Sequence, residues 1–178
     1  MLHLFRKYAS FRILEYFLNH PTQEIHLKEL ARKLNMSPRS IKIYCDEFEK
    51  EEIILCRRQG NLRLFSLNNE NYAVREVKRA YMAALLRELG IDKLSEKAIS
   101  IAVYGSHASG EYDERSDLDI LVIGKEVDKK LLLNISKKLG KDVQLTIFPL
   151  QKWESIKNKD AFAKSILRNH ILIGGAPL

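Results

Sequence analysis

Cysteine, long apolar runs, glycine and proline are all scarce in this chain, and each shortage excludes something. Cys45 and Cys56 are the only cysteines among 178 residues, and no histidine stands beside them in finger-like spacing. That argues against a structural zinc site and against a disulfide framework. The longest wholly apolar runs are short stretches such as residues 81–86, far below the roughly 18 residues that span a bilayer. Residues 1–7, Met-Leu-His-Leu-Phe-Arg-Lys, lack the succession of charged, apolar and small-residue regions of a signal peptide. Gly 8 and Pro 4 exclude collagen-like and low-complexity chains, while a hydrophobic content of 46% supplies apolar mass to offset chain entropy. The expectation is a folded cytoplasmic protein with reduced thiols and no membrane partner, long enough for one medium domain or two small ones.

Charge of one sign is in modest excess. Lys+Arg 30 against Asp+Glu 23 gives +7 and a pI near 9.4, which favours a polyanionic partner. Residues 1–80 hold 15 basic and 10 acidic side chains, and residues 81–178 hold 15 and 13. Divided there, the excess sits in the first half.

In that half, Ser10 can cap a helix whose apolar face is Ile13, Leu14, Phe17 and Leu18, stopped by Asn19-His20-Pro21. Residues 24–26 read as a short strand. Leu27, Leu30, Ala31 and Leu34 form a second helical stripe ended by Asn35-Met36, and Ser37-Pro38 is a good N-cap followed by proline at the first helical position. The third helix runs from there towards Glu51. It buries Ile41, Cys45 and Phe48 and turns Arg39, Ser40, Lys42 and Ile43 outward. Residues 53–58 and 62–67 then read as a hairpin about Gln59-Gly60-Asn61, carrying Arg57, Arg58 and Arg63.

This order of helix, strand, two helices and hairpin resembles the winged helix-turn-helix domain of bacterial and archaeal transcription regulators. The resemblance covers residues 1–68 and implies double-stranded DNA as partner. Phosphate contacts would come from Arg57, Arg58 and Arg63 of the wing, and base reading from Arg39, Ser40 and Lys42 of the third helix. A solvated basic surface and a protein-docking module are the alternatives. Residues 69–90 read as a connecting helix closed by Gly90, with Val74, Val77, Tyr81 and Leu85 on one face. That face serves either packing between the two halves or a homodimer.

The second half carries the chemistry. Residues 98–104 form a β-rich run followed by Gly105-Ser106-His107-Ala108-Ser109-Gly110. A P-loop needs Lys-Ser/Thr after its last glycine, where this chain has Glu111-Tyr112, and the G-x-S-x-G elbow does not fit either. Asp117 and Asp119 follow at the mouth of the apolar strand 120–123, two apart and so on one face. Paired carboxylates repel unless a cation lies between them, and oxygen ligands on a short strand suit Mg²⁺.

Residues 105–122 resemble the G-S-x10-D-x-D signature of the polymerase-β-like nucleotidyltransferase superfamily, nearest its minimal nucleotidyltransferases. The fold implied is α+β: an N-terminal winged helix-turn-helix, the connecting helix, and over residues 91–178 a C-terminal α/β nucleotidyltransferase fold with a mixed sheet. By that resemblance Gly105 and Ser106, with Ser116 beside them, bind the triphosphate of an NTP, while Asp117 and Asp119 hold Mg²⁺ or Mn²⁺. The implied reaction is in-line attack of an acceptor hydroxyl on the α-phosphate with pyrophosphate leaving. Gly105 read alone is a tight turn, Ser106 a helix cap, and His107 and Arg115 surface residues.

The superfamily adds a third carboxylate from a neighbouring strand. The apolar alternation Val143, Leu145, Ile147 puts Gln144 at that place, with Asp142 one pleat earlier. A neutral amide is a poor base and a weaker metal ligand. Two readings follow: a working transferase with a protein acceptor, similar to antitoxin members that adenylylate a toxin, or a regulator whose degenerate domain senses nucleotide or docks a partner. The remainder reads as helical cover, with Trp153 in the core, and residues 170–175 close the chain.

Overall fold

The computed structural model describes residues 1–178 and divides into two units, Met1–Val77 and Lys78–Leu178. The first unit begins with a single helical turn, α1 (Leu2–Phe5), and continues with α2 (Ala9–Asn19), β1 (Ile25–His26), α3 (Leu27–Leu34) and α4 (Pro38–Lys50). Strands β2 (Ile54–Gln59) and β3 (Leu62–Leu67) follow. Helix α2 starts before Ser10: Tyr8 is the extended N-cap residue, its carbonyl accepts from the Arg12 N–H at 3.1 Å, and no side chain caps the end. Burial of Ile13, Phe17 and Leu18 therefore carries this helix.

Helix α4 starts as its sequence predicts. The Ser37 Oγ accepts from the Ser40 N–H at 3.0 Å, with Pro38 in the first turn. Helix α3 ends at Asn35 in the left-handed region, φ 50°, which an Asn tolerates better than most residues. The three strands pair antiparallel in the order β1-β3-β2, and the Gln59↔Leu62 register leaves a two-residue turn with Gly60 at φ +59°. Ile13, Phe17, Leu30, Ile41, Cys45, Ile54 and Phe65 fill the interior of this unit.

Helix α5 (Tyr72–Glu88) contains the division between the units. Its expected apolar face is altered: Val74 and Tyr81 are buried, but Val77 is 42% exposed, and Lys78 is buried with its Nζ donating to the Tyr112 carbonyl at 2.8 Å. The position of this division also moves the charge. Met1–Val77 holds 13 basic and 10 acidic residues, and Lys78–Leu178 holds 17 and 13. The basic excess is thus shared, contrary to the expectation that most of it sits in the first half.

In the second unit, β4 (Ser100–Tyr104), the short helix α6 (Gly105–Ser109) and β5 (Leu118–Ile123) precede α7 (Lys129–Leu139) and β6 (Val143–Phe148). Then come α8 (Leu150–Ile156), α9 (Ala161–Arg168) and β7 (Ile171–Gly175). The sheet order is β6-β5-β4-β7, with β5 and β6 parallel and the other pairs antiparallel. The C-terminal segment is thus a fourth strand, where the sequence suggested only a closing segment.

Period-two alternation splits β5 between two cores. Leu118, Ile120 and Val122 pack with Ile101, Val103, Met82, Leu86 and Ile135, while Leu121 and Ile123 pack with Trp153, Ala163 and Ile166. Asp119 shares the second face at the strand's opening end. No helix is long and apolar enough to cross a membrane.

Candidate active site

Antiparallel pairing of β4 with β5 sets Tyr104 opposite Asp119, so the turn that follows Tyr104 lies against the Asp119 side chain. Gly105 takes φ +69°, and a Cβ built on it would stand 2.3 Å from Asp119 Oδ2. Both the conformation and the close approach require glycine. Ser106 is not the cap of α6, because Tyr104 holds that place and no side chain caps the helix. The Ser106 carbonyl accepts from the Ser109 hydroxyl at 3.2 Å and from the Glu111 N–H at 3.0 Å. Gly105 and Ser106 also line a cleft of about 420 Å³ with Tyr104, Ser109, Phe162 and Asn169, and the Tyr104 and Phe162 rings meet edge to face at 5.6 Å.

Asp117 immediately precedes β5 and Asp119 lies within it, so both carboxylates face one side of the sheet. Burial, and then the charge of Asp117, push the Asp119 carboxyl above the usual carboxylate range. Across the parallel register Asp119 faces Gln144, whose Nε2 donates to Asp117 Oδ2 at 2.8 Å. Asp142 is exposed and contributes its backbone carbonyl to the Leu118 N–H at 2.8 Å. No group of three His, Cys, Asp or Glu side chains converges to hold a metal.

The donor set still suits one Mg²⁺. Such an ion takes one or two carboxylates and fills its shell with water and phosphate oxygens, and the mutual repulsion that, after burial, pushes up the Asp119 carboxyl is what a cation would relieve. Asp117 and Asp119 would hold it, while Gln144 presents its NH₂ group to Asp117.

The loop from α6 to β5 differs from its sequence reading. Ser116 is occupied in a turn: its Oγ accepts from the Asp113 N–H and donates to Asp113 Oδ1, both at 2.9 Å. His107, expected on the surface, is fully buried. Its ring stacks on Tyr112 at 4.7 Å and 4°, and burial followed by the Lys141 charge lowers its pKa to about 4, against a backbone hydrogen bond with Asp117 that opposes the shift. Arg115 is exposed, as expected. Lys78 and Lys141 escaped the sequence reading, since nothing in their local pattern separates them from solvated lysines.

The basic residues expected to meet DNA divide into two groups. Lys42 pairs with Asp46 at 2.6 Å, and Arg57 meets Glu24 through Nε at 2.9 Å and Nη2 at 2.5 Å. Arg63 bonds Asp46 at 2.6 Å and also Glu49, lies over the Phe65 ring at 4.8 Å, and donates to Cys56 Sγ at 3.3 Å. Ser40 Oγ is hydrogen-bonded to Ser37 Oγ at 2.8 Å. Arg39 and Arg58 are exposed and outside the ion pairs. Exposed pairs are worth only about 0.2–1 kcal/mol and yield to a competing phosphate, whereas Arg63 is held by two acids at once.

Comparison with known proteins gives three findings. Residues 88–173 match the family model described as "Nucleotidyltransferase domain". Two relatives in Methanocaldococcus jannaschii align with parts of the chain. "Putative protein adenylyltransferase MJ1547" is 46% identical over 66 residues, 35% of this chain and 52% of the relative. "Putative protein adenylyltransferase MJ0141" is 31% identical over 68 residues, 36% of this chain and 69% of the relative. The chain therefore spans about half the length of the first and over two thirds of the second. Among solved structures, the "Crystal structure of the toxin-antitoxin with AMP-PNP" is a distant likeness, 20% identical over 55% of this chain and 73% of that one, with a TM-score of 0.36.

Two outcomes test this geometry. Ala at Gly105 or at Gly140 meets a similar left-handed penalty of about 1–2 kcal/mol, but only Gly105 has Asp119 in the way, Gly140 having nothing within 4 Å. Denaturant unfolding will show Gly105→Ala costing clearly more than Gly140→Ala; equal costs would contradict the contact. His107, neutral in the fold with a pKa near 4 against an ordinary 6.5, stabilises the protein fully above pH 6.5, and that contribution is lost as pH falls towards 4. At about 1.4 kcal/mol per unit this approaches roughly 3 kcal/mol, and it will be absent from the pH–stability curve of His107→Phe.

Proposed function

The chain belongs to the nucleotidyltransferase family, and from that premise we propose that it transfers a nucleotidyl group from an NTP, with ATP the first candidate, to a hydroxyl of a protein acceptor. The observation that supports this most strongly is the approach of Asp119 to Gly105, which puts a glycine turn and two carboxylates in one place. Gly105 and Ser106 bind the triphosphate through the backbone N–H groups of the first turn of α6 and the Ser106 hydroxyl. Mg²⁺ or Mn²⁺ bound by Asp117 and Asp119 would offset charge developing on the departing pyrophosphate. Gln144 holds the Asp117 carboxylate through its amide N–H. Ser116 acts by shaping the turn before Asp117 rather than by touching nucleotide.

That same amide favours the second reading, a nucleotide-sensing domain. Gln144 stands where the resemblance expects a carboxylate, and it can take no proton from an acceptor hydroxyl.

We also infer that the first unit is a winged helix-turn-helix that binds duplex DNA. The succession α2, β1, α3, α4, β2, β3 with sheet order β1-β3-β2 supports this. Arg39 at the start of α4 and Arg58 in the hairpin are the leading contacts. Lys42 and Arg57 join by exchanging a carboxylate for a phosphate, Ser40 lies beside them, and Arg63 braces α4 against β3.

Incubation with α-labelled ATP, Mg²⁺ or Mn²⁺ and candidate protein acceptors will give covalent transfer that Asp117→Asn/Asp119→Asn abolishes. Gln144→Glu, by restoring a base, will raise the rate on the order of a hundredfold. Metal-dependent nucleotide binding without transfer, in the wild type and in Gln144→Glu, would favour the sensor. For DNA, fluorescence anisotropy will show Arg58→Ala reducing the log–log salt slope by about 1 and Arg39→Ala weakening binding with a relaxed preference among duplex sequences, with Arg63→Ala acting on stability instead. Duplex affinity untouched by either of the first two variants would contradict the DNA reading.

A further inference from the structure

The loop that carries Asp117 has little regular structure, so its backbone carbonyls need partners from elsewhere. Lys141, directly after the Gly140 that ends α7, supplies them. Its Nζ donates to the carbonyls of Asp113 at 2.7 Å, Glu114 at 3.3 Å and Ser116 at 3.2 Å. An ammonium has three donors, so all of them are spent on this loop. Lys78 takes the next carbonyl back, that of Tyr112, at 2.8 Å.

The placement of these bonds matters more than their number. The Ser116 carbonyl belongs to the peptide that joins Ser116 to Asp117, and Lys141 holds it. The N–H on the other side of Asp117, that of Leu118, donates to the carbonyl of Asp142, the residue after Lys141, at 2.8 Å. Residues 141 and 142 therefore grip the chain on both flanks of Asp117, while Gln144, two residues on, holds its carboxylate. The end of α7 and the start of β6 thus set where Asp117 stands relative to Asp119.

We propose that Lys141 is a positioning residue for the metal-binding pair: by gathering three loop carbonyls on its ammonium it fixes Asp117 at the spacing from Asp119 that a divalent cation requires. The proposal rests on the nucleotidyl-transfer reading. Burial pushes the Lys141 ammonium below its ordinary range, with Asp113, Glu114 and Asp117 opposing that shift. Partners that orient metal ligands from behind typically account for 10- to 100-fold in affinity.

The test is uptake of Mn²⁺ by the full chain, followed by the electron paramagnetic resonance signal of the free ion, with thermal unfolding recorded alongside. Lys141→Ala will weaken Mn²⁺ binding by about tenfold or more. Methylammonium, which can donate to the vacated carbonyls, will restore it, and tetramethylammonium at equal ionic strength will not. If Lys141→Ala does not fold, Lys141→Gln, which keeps a donor on a shorter uncharged stem, will show a weakening in the same direction. Wild-type Mn²⁺ affinity in the folded variant overturns the role of Lys141, as does a loss that neither amine or both amines equally repair. A wild-type protein that takes up no Mn²⁺ overturns the transfer reading itself and this proposal with it.

Discussion

Asp119 can lie against the backbone at Gly105 only because β4 and β5 pair with Tyr104 opposite Asp119 and because residue 105 has no Cβ. The ten residues between Ser106 and Asp117 are bridged by this single register. From it follows the partial burial of Asp119, while the pleat of β5 faces Asp117 the same way and the separate parallel register of β5 with β6 sets Gln144 across from Asp119. A slip of one residue would turn both aspartates to the opposite face, into the core built on Leu118, Ile120 and Val122. The apolar demand of that core therefore protects the polar geometry of the site.

Much of this was legible in the chain itself. The alternation along β5 and β6, the Ser37-Pro38 start of α4, the Gly60 turn and the two aspartates on one face depend on neighbours a few residues apart, where periodicity and capping are strong signals. What was not legible depends on pairs that neither periodicity nor capping reveals. The burial of His107 comes from Tyr112 stacking on it, and the roles of Lys78 and Lys141 from carbonyls 34 and 25 to 28 residues away. Arg63 reads as a free basic residue until Asp46 and Glu49, 17 and 14 positions away, close on it. The even split of positive charge could not be seen before the division at residue 77 was known.

A common device runs through the second unit. Cationic and amide donors hold the chain around the carboxylates, on backbone oxygens or on Asp117 itself. Lys78 and Lys141 bind carbonyls of the loop, and Gln144 binds Asp117. Such groups act by restricting motion more than by adding stability, because burying an ammonium costs free energy that its hydrogen bonds only offset. In the first unit the acids Glu24, Asp46 and Glu49 temper the basic hairpin and helix in a similar way, while Arg39 and Arg58 stay outside those ion pairs.

On the reading proposed above, one nucleotide and one divalent cation meet at the junction of β4, α6 and β5. A crystal structure of the full chain grown with Mn²⁺ and a non-hydrolysable ATP analogue, with anomalous scattering recorded for manganese, tests it most directly. The expected result is an anomalous peak shared by Asp117 and Asp119 with the triphosphate against Gly105 and Ser106. Nucleotide bound elsewhere, with no manganese on the two aspartates, would contradict it.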